Sequence, residues 1–242
     1  MVVRLALSIE AQILASFEFV SPSVIVRSHS GWKPALFAEL LTPERLLEIF
    51  GLVSGLVCVW LMIKQNVLTF PIGLVYAVVS VLIMARNQLY ADVLLNAYYV
   101  VINAYGWWYW SVKKEEQGTE LVVSRVTAKT AAGLFVIGVF GVIAMIGLLS
   151  SYTSAQQVIL NSITTTMSFI AMWMSARKLV ENWLIWLVVN VLSVGLYFLQ
   201  GIYPYALLYA VYLVMAVQGY REWMASMNRS APHKPLPDTQ AS

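Results

Sequence analysis

Seven runs of about twenty apolar residues are the dominant feature of this 242-residue sequence. A run of that length spans the hydrocarbon core of a bilayer as a helix. Charged residues make up 11% of the chain, against about 25% in soluble domains, so most of the outer surface is expected to face lipid. The sequence predicts an all-α membrane protein with helices at 46–63, 68–85, 90–112, 128–149, 157–176, 183–200 and 203–223.

The flanks of this helical region are predicted to be less regular. Residues 1–45 begin with an apolar stretch that carries Glu10 and Glu18, which favours an interfacial helix followed by an irregular connection. Residues 225–242 are polar and proline-containing, and the sequence predicts a disordered tail. Ten Lys and Arg residues fall on one side of the predicted spans and five on the other, which places the N-terminus outside and the C-terminus in the cytoplasm.

An internal repeat organises the helices. Residues 70–110 align without a gap to 183–223, at an offset of 113, with 14 of 41 positions identical. Helix one aligns with helix five, four spans later. Because each span reverses the direction of the chain, helices an even number of spans apart cross the membrane in the same direction. We therefore expect two parallel three-helix repeats, 46–112 and 157–224, joined by a loop and linker helix in 113–156. Such repeats are typical of transporters with a site between the halves, and the alternative is a duplicated structural bundle without a pathway.

Polar and aromatic residues form stripes along the faces of several predicted helices, at the spacing that helical geometry requires. In a membrane, such residues either join helices by hydrogen bonds or face a cavity. Tryptophans near span ends also form interfacial belts, and this is our interpretation of Trp107, Trp108, Trp110 and Trp223. The stripe residues on helices six, three and seven are Trp183, Trp186, Asn190, Asn96, Tyr99, Asn103 and Tyr212.

The two repeats differ at three aligned positions of helices two and six, where a site for an asymmetric ligand would need different side chains. Helix two carries Phe70, Gly73 and Ala77 at the positions of the bulky and polar residues of helix six. Bulky groups on one half and small ones on the other leave room for an asymmetric ligand. Aromatic faces with amides suit a flat, cationic ring.

Several function classes are disfavoured by what the spans do not contain. No Asp, Glu, Lys, Arg or His lies at the middle of any predicted span, which favours a facilitator over an ion-coupled carrier. The chain has a single cysteine, and its two histidines lie in the terminal stretches. The sequence therefore gives no basis for a metal site, a cofactor or nucleophilic catalysis. The net charge of +3 is too small for a nucleic-acid partner. We expect neither an enzyme nor a nucleic-acid-binding protein.

Three motifs resemble those of the bacterial nicotinamide riboside transporters of the PnuC family. They are QLYADVLLNAYY from Gln88 to Tyr99, YGWWYW ending at Trp110, and ENWLIWLVVN from Glu181 to Asn190. The resemblance runs from about Glu48 to Trp223. It implies a seven-helix, SWEET-like 3+1+3 fold, a homotrimer in the bacterial cytoplasmic (inner) membrane, and facilitated uptake of nicotinamide riboside drawn forward by a cytoplasmic riboside kinase.

The same resemblance assigns substrate contacts to Trp183, Trp186 and Asn190. Further candidates are Gln88, Asn96, Tyr99 and Asn103 of the first repeat, and Tyr212 on the equivalent face of helix seven. Phe70 departs from the family pattern, in which a tryptophan is expected before the proline. The alternatives are a transporter of another pyridine, thiamine or a flavin, and a membrane subunit or receptor that transports nothing.

Overall fold

The structure is a computed structural model that describes residues 43–86, 90–117, 121–152 and 157–230. These residues form seven α-helices, which confirms the predicted all-α class and the helix number. The helices are α1 (Pro43–Ile63), α2 (Thr69–Arg86), α3 (Tyr90–Gln117), α4 (Ala128–Tyr152), α5 (Val158–Ala176), α6 (Asn182–Leu199) and α7 (Tyr203–Ser230).

The helices begin and end near the predicted positions, apart from two that run further. Prolines stand in the first turn of α2 and of α7, where the missing N–H costs no hydrogen bond. α3 and α7 each have 28 residues, or about 42 Å, so they extend beyond a bilayer core of about 30 Å. α7 continues through Ser230, into the segment for which the sequence predicts a disordered tail. Residues 1–42 and 231–242, with the predicted interfacial helix, lie outside the described residues.

α1 and α5 end in the same turn. Gln65 and Lys178, which are 113 residues apart, both have φ = +56°, a left-handed conformation that usually selects glycine. At each turn the amide of the following residue bonds back to the helix, Asn66 to the Leu61 carbonyl and Leu179 to the Met174 carbonyl. The repeat seen in the sequence therefore extends to an unusual backbone geometry.

Helix packing is also similar in the two sets of three helices. We call α1–α3 the first unit and α5–α7 the second unit. α2 packs most extensively on α3, and α6 on α7. Contacts between the units cross over, because α1 packs on α7 and α5 packs on α3. α4 packs on α5 at the periphery and leaves most of its side chains, including Phe135 and Phe140, exposed.

The described part of the connection between α3 and α4 forms backbone hydrogen bonds with the α5–α6 turn. We call residues 121–126 the strap. The Ser124 amide donates to the Lys178 carbonyl, and the Val180 amide donates to the Ser124 carbonyl, so the strap runs parallel to the α5–α6 turn. The Val126 amide donates to Glu181 Oε2 (2.9 Å) at the start of α6, and Val123 is buried. The strap thus fastens one end of the second unit.

Three of the described helices are long and apolar enough to cross a membrane by length and composition, namely α4, α5 and α6. Shorter apolar helical stretches cover 50–63 and 69–82. Lys64, Arg177 and Lys178 all lie at the same end of the bundle, where α1 and α5 end. We call this the basic end.

Candidate functional site

Four aromatic rings form a continuous cluster inside the basic end. Phe70 meets Trp110 edge to face at 5.0 Å, and Trp183 meets Trp223 edge to face at 5.5 Å. The indoles of Trp110 and Trp223 join these two pairs at 6.2 Å. Edge-to-face contact is the favourable geometry for such rings. We call these four residues the aromatic quartet; each unit contributes two, and all are buried.

The quartet depends on two matching glycines. A methyl group on Gly106 would collide with the Phe70 ring, and a methyl group on Gly219 would collide with the Trp183 ring. Only glycine lets a ring approach a helix backbone this closely. The two glycines are 113 residues apart, as are the two rings that they accept. The same ring-on-glycine contact is therefore built twice.

The two tryptophans that end the repeats bond across the units. Trp110 Nε1, on α3, donates to the Ala176 carbonyl at the end of α5 (3.0 Å). Trp223 Nε1, on α7, donates to the Met62 carbonyl near the end of α1 (3.0 Å). These bonds follow the crossed packing of the helices and hold the basic ends of the two units together.

This placement corrects the sequence interpretation of Trp110 and Trp223 as interfacial anchors. The two residues are 4% and 0% exposed, so their rings face the bundle interior. Trp107 and Trp108 are 44% and 59% exposed, as an interfacial position requires. Both the interfacial and the buried tryptophans lie near span ends, so position alone does not distinguish them. Each buried tryptophan, however, follows a glycine four residues earlier on the same helix face, and this pattern is visible in the sequence.

The predicted stripe on α6 lies along a buried face, and two of its polar side chains have no hydrogen-bond partner among the described residues. The Trp183 indole N–H is buried and has no hydrogen-bond acceptor among the described residues. Asn190 is 4% exposed and forms none of the side-chain hydrogen bonds found within the described part of the chain. Trp186 lies between them on the same face and packs, partly buried, against the hydrophobic core of the bundle that contains the aromatic quartet. Unpaired buried polar groups are costly in a folded protein, so they mark a place where water or a ligand is expected to bind.

The predicted residues on α3 have neighbours in both units. Asn103 donates to the Tyr99 carbonyl one turn earlier (2.8 Å) and packs against Gly73 of α2. Tyr99 meets Phe169 of α5 edge to face at 6.4 Å. Asn96 is partly buried on the same helix. Tyr99 thus lies where α3 meets α5, Asn103 lies between α3 and α2, and Gln88 lies outside the described residues.

On α7 the predicted Tyr212 belongs to a series of tyrosines. Its ring meets Tyr209 edge to face at 6.1 Å, and its hydroxyl lies beside Gly55 of α1. Tyr209 in turn stacks on Tyr197 of α6 at 5.3 Å, and Tyr197 contacts Tyr205 at 5.2 Å. The series extends from mid-bundle toward the end opposite the basic end.

Lys178 is a buried cation that the sequence interpretation missed. It follows an exposed arginine at a span end, where a solvated side chain is expected, yet it is 2% exposed. Its ammonium donates to the Leu121 carbonyl of the strap and lies 4.6 Å from the centre of the Trp110 ring. This is a cation–π contact, and it stabilises the Trp110 ring of the aromatic quartet. The left-handed turn at Lys178 directs its side chain inward, and no pattern in the neighbouring residues predicts that turn.

A large apolar groove lies elsewhere, between α4, α5 and the start of α6. Its volume is about 640 Å³, and its walls include Phe135, Gly138, Ile163 and Thr166. The Thr166 hydroxyl oxygen has no partner among the described residues. None of the predicted site residues lines this groove. In the described ranges, no group of three His, Cys, Asp or Glu side chains is placed to hold a metal ion.

Comparisons with known proteins agree on one family. A family model described as "Nicotinamide mononucleotide transporter" matches residues 45–225. The nicotinamide riboside transporter PnuC of Escherichia coli (strain K12) is 28% identical over 204 residues, which cover 74% of this chain and 85% of that one. The riboflavin/roseoflavin transporter RibM of Streptomyces davaonensis is 22% identical over 186 residues, covering 76% and 87%.

A solved structure shares the fold. The crystal structure of the vitamin B3 transporter PnuC matches with a TM-score of 0.61 at 23% identity, covering 83% of this chain and 95% of that one. The matching proteins are named as transporters and not as enzymes, in agreement with the expectation from the sequence.

Proposed function

Because this chain belongs to the PnuC family of membrane transporters, we propose that its substrate is nicotinamide riboside. The observation that carries the proposal is the buried face of α6, where the indole N–H of Trp183 and the amide of Asn190 have no partner within the described residues. Nicotinamide riboside has a cationic aromatic ring, a carboxamide and ribose hydroxyls. Each of these groups has a counterpart on that face.

The proposed contacts follow from the chemistry of the side chains. Trp186 and Trp183 stack on the pyridinium ring and attract its charge through the indole faces. Asn190 bonds the carboxamide or a sugar hydroxyl. Asn96, Tyr99, Asn103 and Tyr212, with Gln88, line the rest of the path between the units. A calorimetric titration of the purified protein with nicotinamide riboside tests the proposal, and a protein that does not bind it contradicts the proposal.

We propose that the riboside, rather than the mononucleotide of the family description, is the preferred form. A phosphate that enters the bundle loses its water and needs Arg or Lys in exchange, at a cost of several kcal/mol where it finds neither. Lys178, the buried cation at the basic end, is already engaged by the Leu121 carbonyl and the Trp110 ring. The mononucleotide should compete poorly with labelled riboside, and equal competition would contradict this preference.

The proposed mode of transport is facilitated diffusion without ion coupling. Support comes from the spans, whose middles carry no Asp, Glu, Lys, Arg or His. Net uptake would then be drawn forward by phosphorylation of the riboside by a cytoplasmic kinase. Counterflow in sealed liposomes should run without a proton or sodium gradient. Accumulation that depends on such a gradient, with no kinase present, would contradict this mode.

We propose a 3+1+3, SWEET-like arrangement of two parallel repeats, 46–112 and 157–224, with α4 in the linker 113–156. The matching left-handed turns, the two ring-on-glycine contacts and the crossed helix packing support it. We further propose a homotrimer in the bacterial cytoplasmic membrane, with the N-terminus outside and the basic end facing the cytoplasm. A cysteine placed at Ser242 should react only from the cytoplasmic side of intact cells, and labelling from outside would reverse the orientation.

A flavin is the second candidate substrate, because RibM, a relative of similar coverage, is named as a riboflavin/roseoflavin transporter. Flavins and thiamine also present flat rings to a site built of indoles and amides. A thermal-shift panel of the riboside, riboflavin and thiamine separates these substrates, since the bound ligand stabilises the fold by mass action. Uptake by the pure protein in liposomes separates a transporter from a subunit or receptor that transports nothing.

A further inference from the structure

A ligand path between the two units, as proposed above, would meet the aromatic quartet at the basic end. Phe70 and Trp110 come from the first unit, Trp183 and Trp223 from the second, and the Trp110–Trp223 contact closes the gap between them. All four are buried, so their rings leave no opening. A ligand held on the α6 face at Trp186 and Asn190 would have to separate these rings to leave at this end.

Two hydrogen bonds hold the rings in this arrangement, and both connect the two units. Trp110 donates to the Ala176 carbonyl and Trp223 donates to the Met62 carbonyl. Any movement that parts α3 from α5 or α7 from α1 breaks one of them. Close by on the outside, Lys64 of the α1–α2 turn pairs with Glu222 of α7 (3.2 Å), which again connects the units.

The strength of these bonds suits a closure that opens repeatedly. One neutral hydrogen bond shifts an equilibrium by about fivefold, so two such bonds favour the closed arrangement without making it permanent. Among the described residues the indole N–H of Trp183 has no hydrogen-bond acceptor. Trp183 and Phe70 are therefore held in the quartet by ring packing and not by hydrogen bonds to these residues.

From this geometry we propose that the aromatic quartet is the closed gate at the basic end, and that the two crossed indole hydrogen bonds are its latch. The proposal rests on the proposed transport function. In the open state the units part at this end, both indole bonds break, and the ligand passes between Trp110 and Trp223. The strap fastens the α5–α6 turn, so opening moves the α1–α2 turn away from α7.

A reversible crosslink between the units tests the gate. Cysteines replace Lys64 and Glu222 in a Cys58→Ala background, and a reducible bifunctional thiol reagent joins them. Counterflow of nicotinamide riboside should fall at least tenfold on crosslinking and recover on reduction, while each single-cysteine variant is unaffected by the reagent. Crosslinked protein that exchanges the riboside at the uncrosslinked rate would overturn the gate.

A second measurement needs no substrate and tests the latch. Ser193, on the buried face of α6, is about 15 Å from Trp183 along the helix. A cysteine there should react slowly with an impermeant thiol reagent added on the side from which Lys64→Cys is labelled. Trp110→Phe and Trp223→Phe keep a ring but remove one latch bond each, and each should speed labelling about fivefold. Trp108→Phe, an exposed residue of α3, is the control and should change nothing.

The two measurements separate the gate from the substrate. Equal labelling rates in all these variants would show that the indole bonds hold nothing closed, whatever the ligand is. If the uncrosslinked protein neither binds nor exchanges nicotinamide riboside, the proposed substrate is wrong. The labelling result then decides the gate alone.

Discussion

The two three-helix units are alike at the basic end and unlike in the bundle interior. At the basic end each has the left-handed turn, the ring-on-glycine contact and a tryptophan that bonds to the other unit. Further in, Gly73 and Asn103 of the first unit correspond to Trp186 and Ala216 of the second. Asn103 of α3 fills the space beside Gly73 of α2. In the second unit the large side chain is instead that of Trp186 on α6, and the small residue is Ala216 on α7.

The difference indicates which residues form the frame and which form the site. Features that occur twice form the frame of each unit and its hydrogen bond to the other unit. Two features that occur once are Trp186 and Asn190, whose amide has no hydrogen-bond partner among the described residues; their counterparts, Gly73 and Ala77, are small. They are not needed to build a unit, because the first unit folds without them.

The largest effects should be equal in the two units. Trp110→Ala and Trp223→Ala each remove a buried indole and a hydrogen bond, and each should cost about 3–5 kcal/mol of unfolding free energy. Unfolding of the purified variants in detergent measures both. Trp108→Ala, which truncates an exposed indole, should cost far less. A large loss in only one of the two buried variants would show that the units do not share one frame.

The next effect should appear in one unit only. Trp186→Ala removes a proposed cation–π partner worth up to about 2 kcal/mol, so the dissociation constant for nicotinamide riboside should rise ~30-fold. Calorimetric titration gives the value, and Trp108→Ala again serves as the size-matched control. An affinity equal to that of the unaltered protein would remove Trp186 from the site.

A smaller effect separates a ligand contact from a structural one. Asn190→Ala, which copies Ala77, should weaken riboside binding about fivefold without lowering the melting temperature, because among the described residues the amide has no hydrogen-bond partner to lose. Asn103→Ala should lower the stability by about 1 kcal/mol, since it loses its bond to the Tyr99 carbonyl and its contact with Gly73. The opposite pattern, with Asn190→Ala unstable but normal in binding, would make Asn190 a structural residue.

The smallest effect concerns the matching turns. Gln65→Gly relieves a left-handed residue and should stabilise the protein by up to about 1 kcal/mol after the added chain entropy of glycine. Lys178→Gly gains the same relief but loses the bond to Leu121 and the contact with Trp110. Melting temperatures should therefore rise in the first variant and fall in the second. A rise in both would show that Lys178 supports nothing.

Helix number and most helix boundaries could be predicted from the sequence, because a membrane span needs an unbroken apolar run of known length. The ends of α3 and α7 could not, since both helices continue into polar residues outside that run. The α6 stripe was found because helical spacing places Trp183, Trp186 and Asn190 on one face.

Features that depend on contacts between distant residues were missed. An indole near a span end can face lipid or the bundle, and only the partner helix decides which, so Trp110 and Trp223 were assigned wrongly. Lys178 is buried because a turn and the strap enclose it, and neither is visible in the residues around it. The groove between α4 and α5 likewise depends on how two apolar helices meet, which their composition does not fix.

The strap also bears on how such a chain could have arisen. Two separate copies of a three-helix unit would form a symmetric pair with identical ends. A single linker that joins the copies has no symmetric counterpart, and here it forms backbone hydrogen bonds with the α5–α6 turn. On the proposed duplicate arrangement, gene fusion alone would make the two copies unequal. Later substitutions in either copy would then have acted on positions that were no longer equivalent.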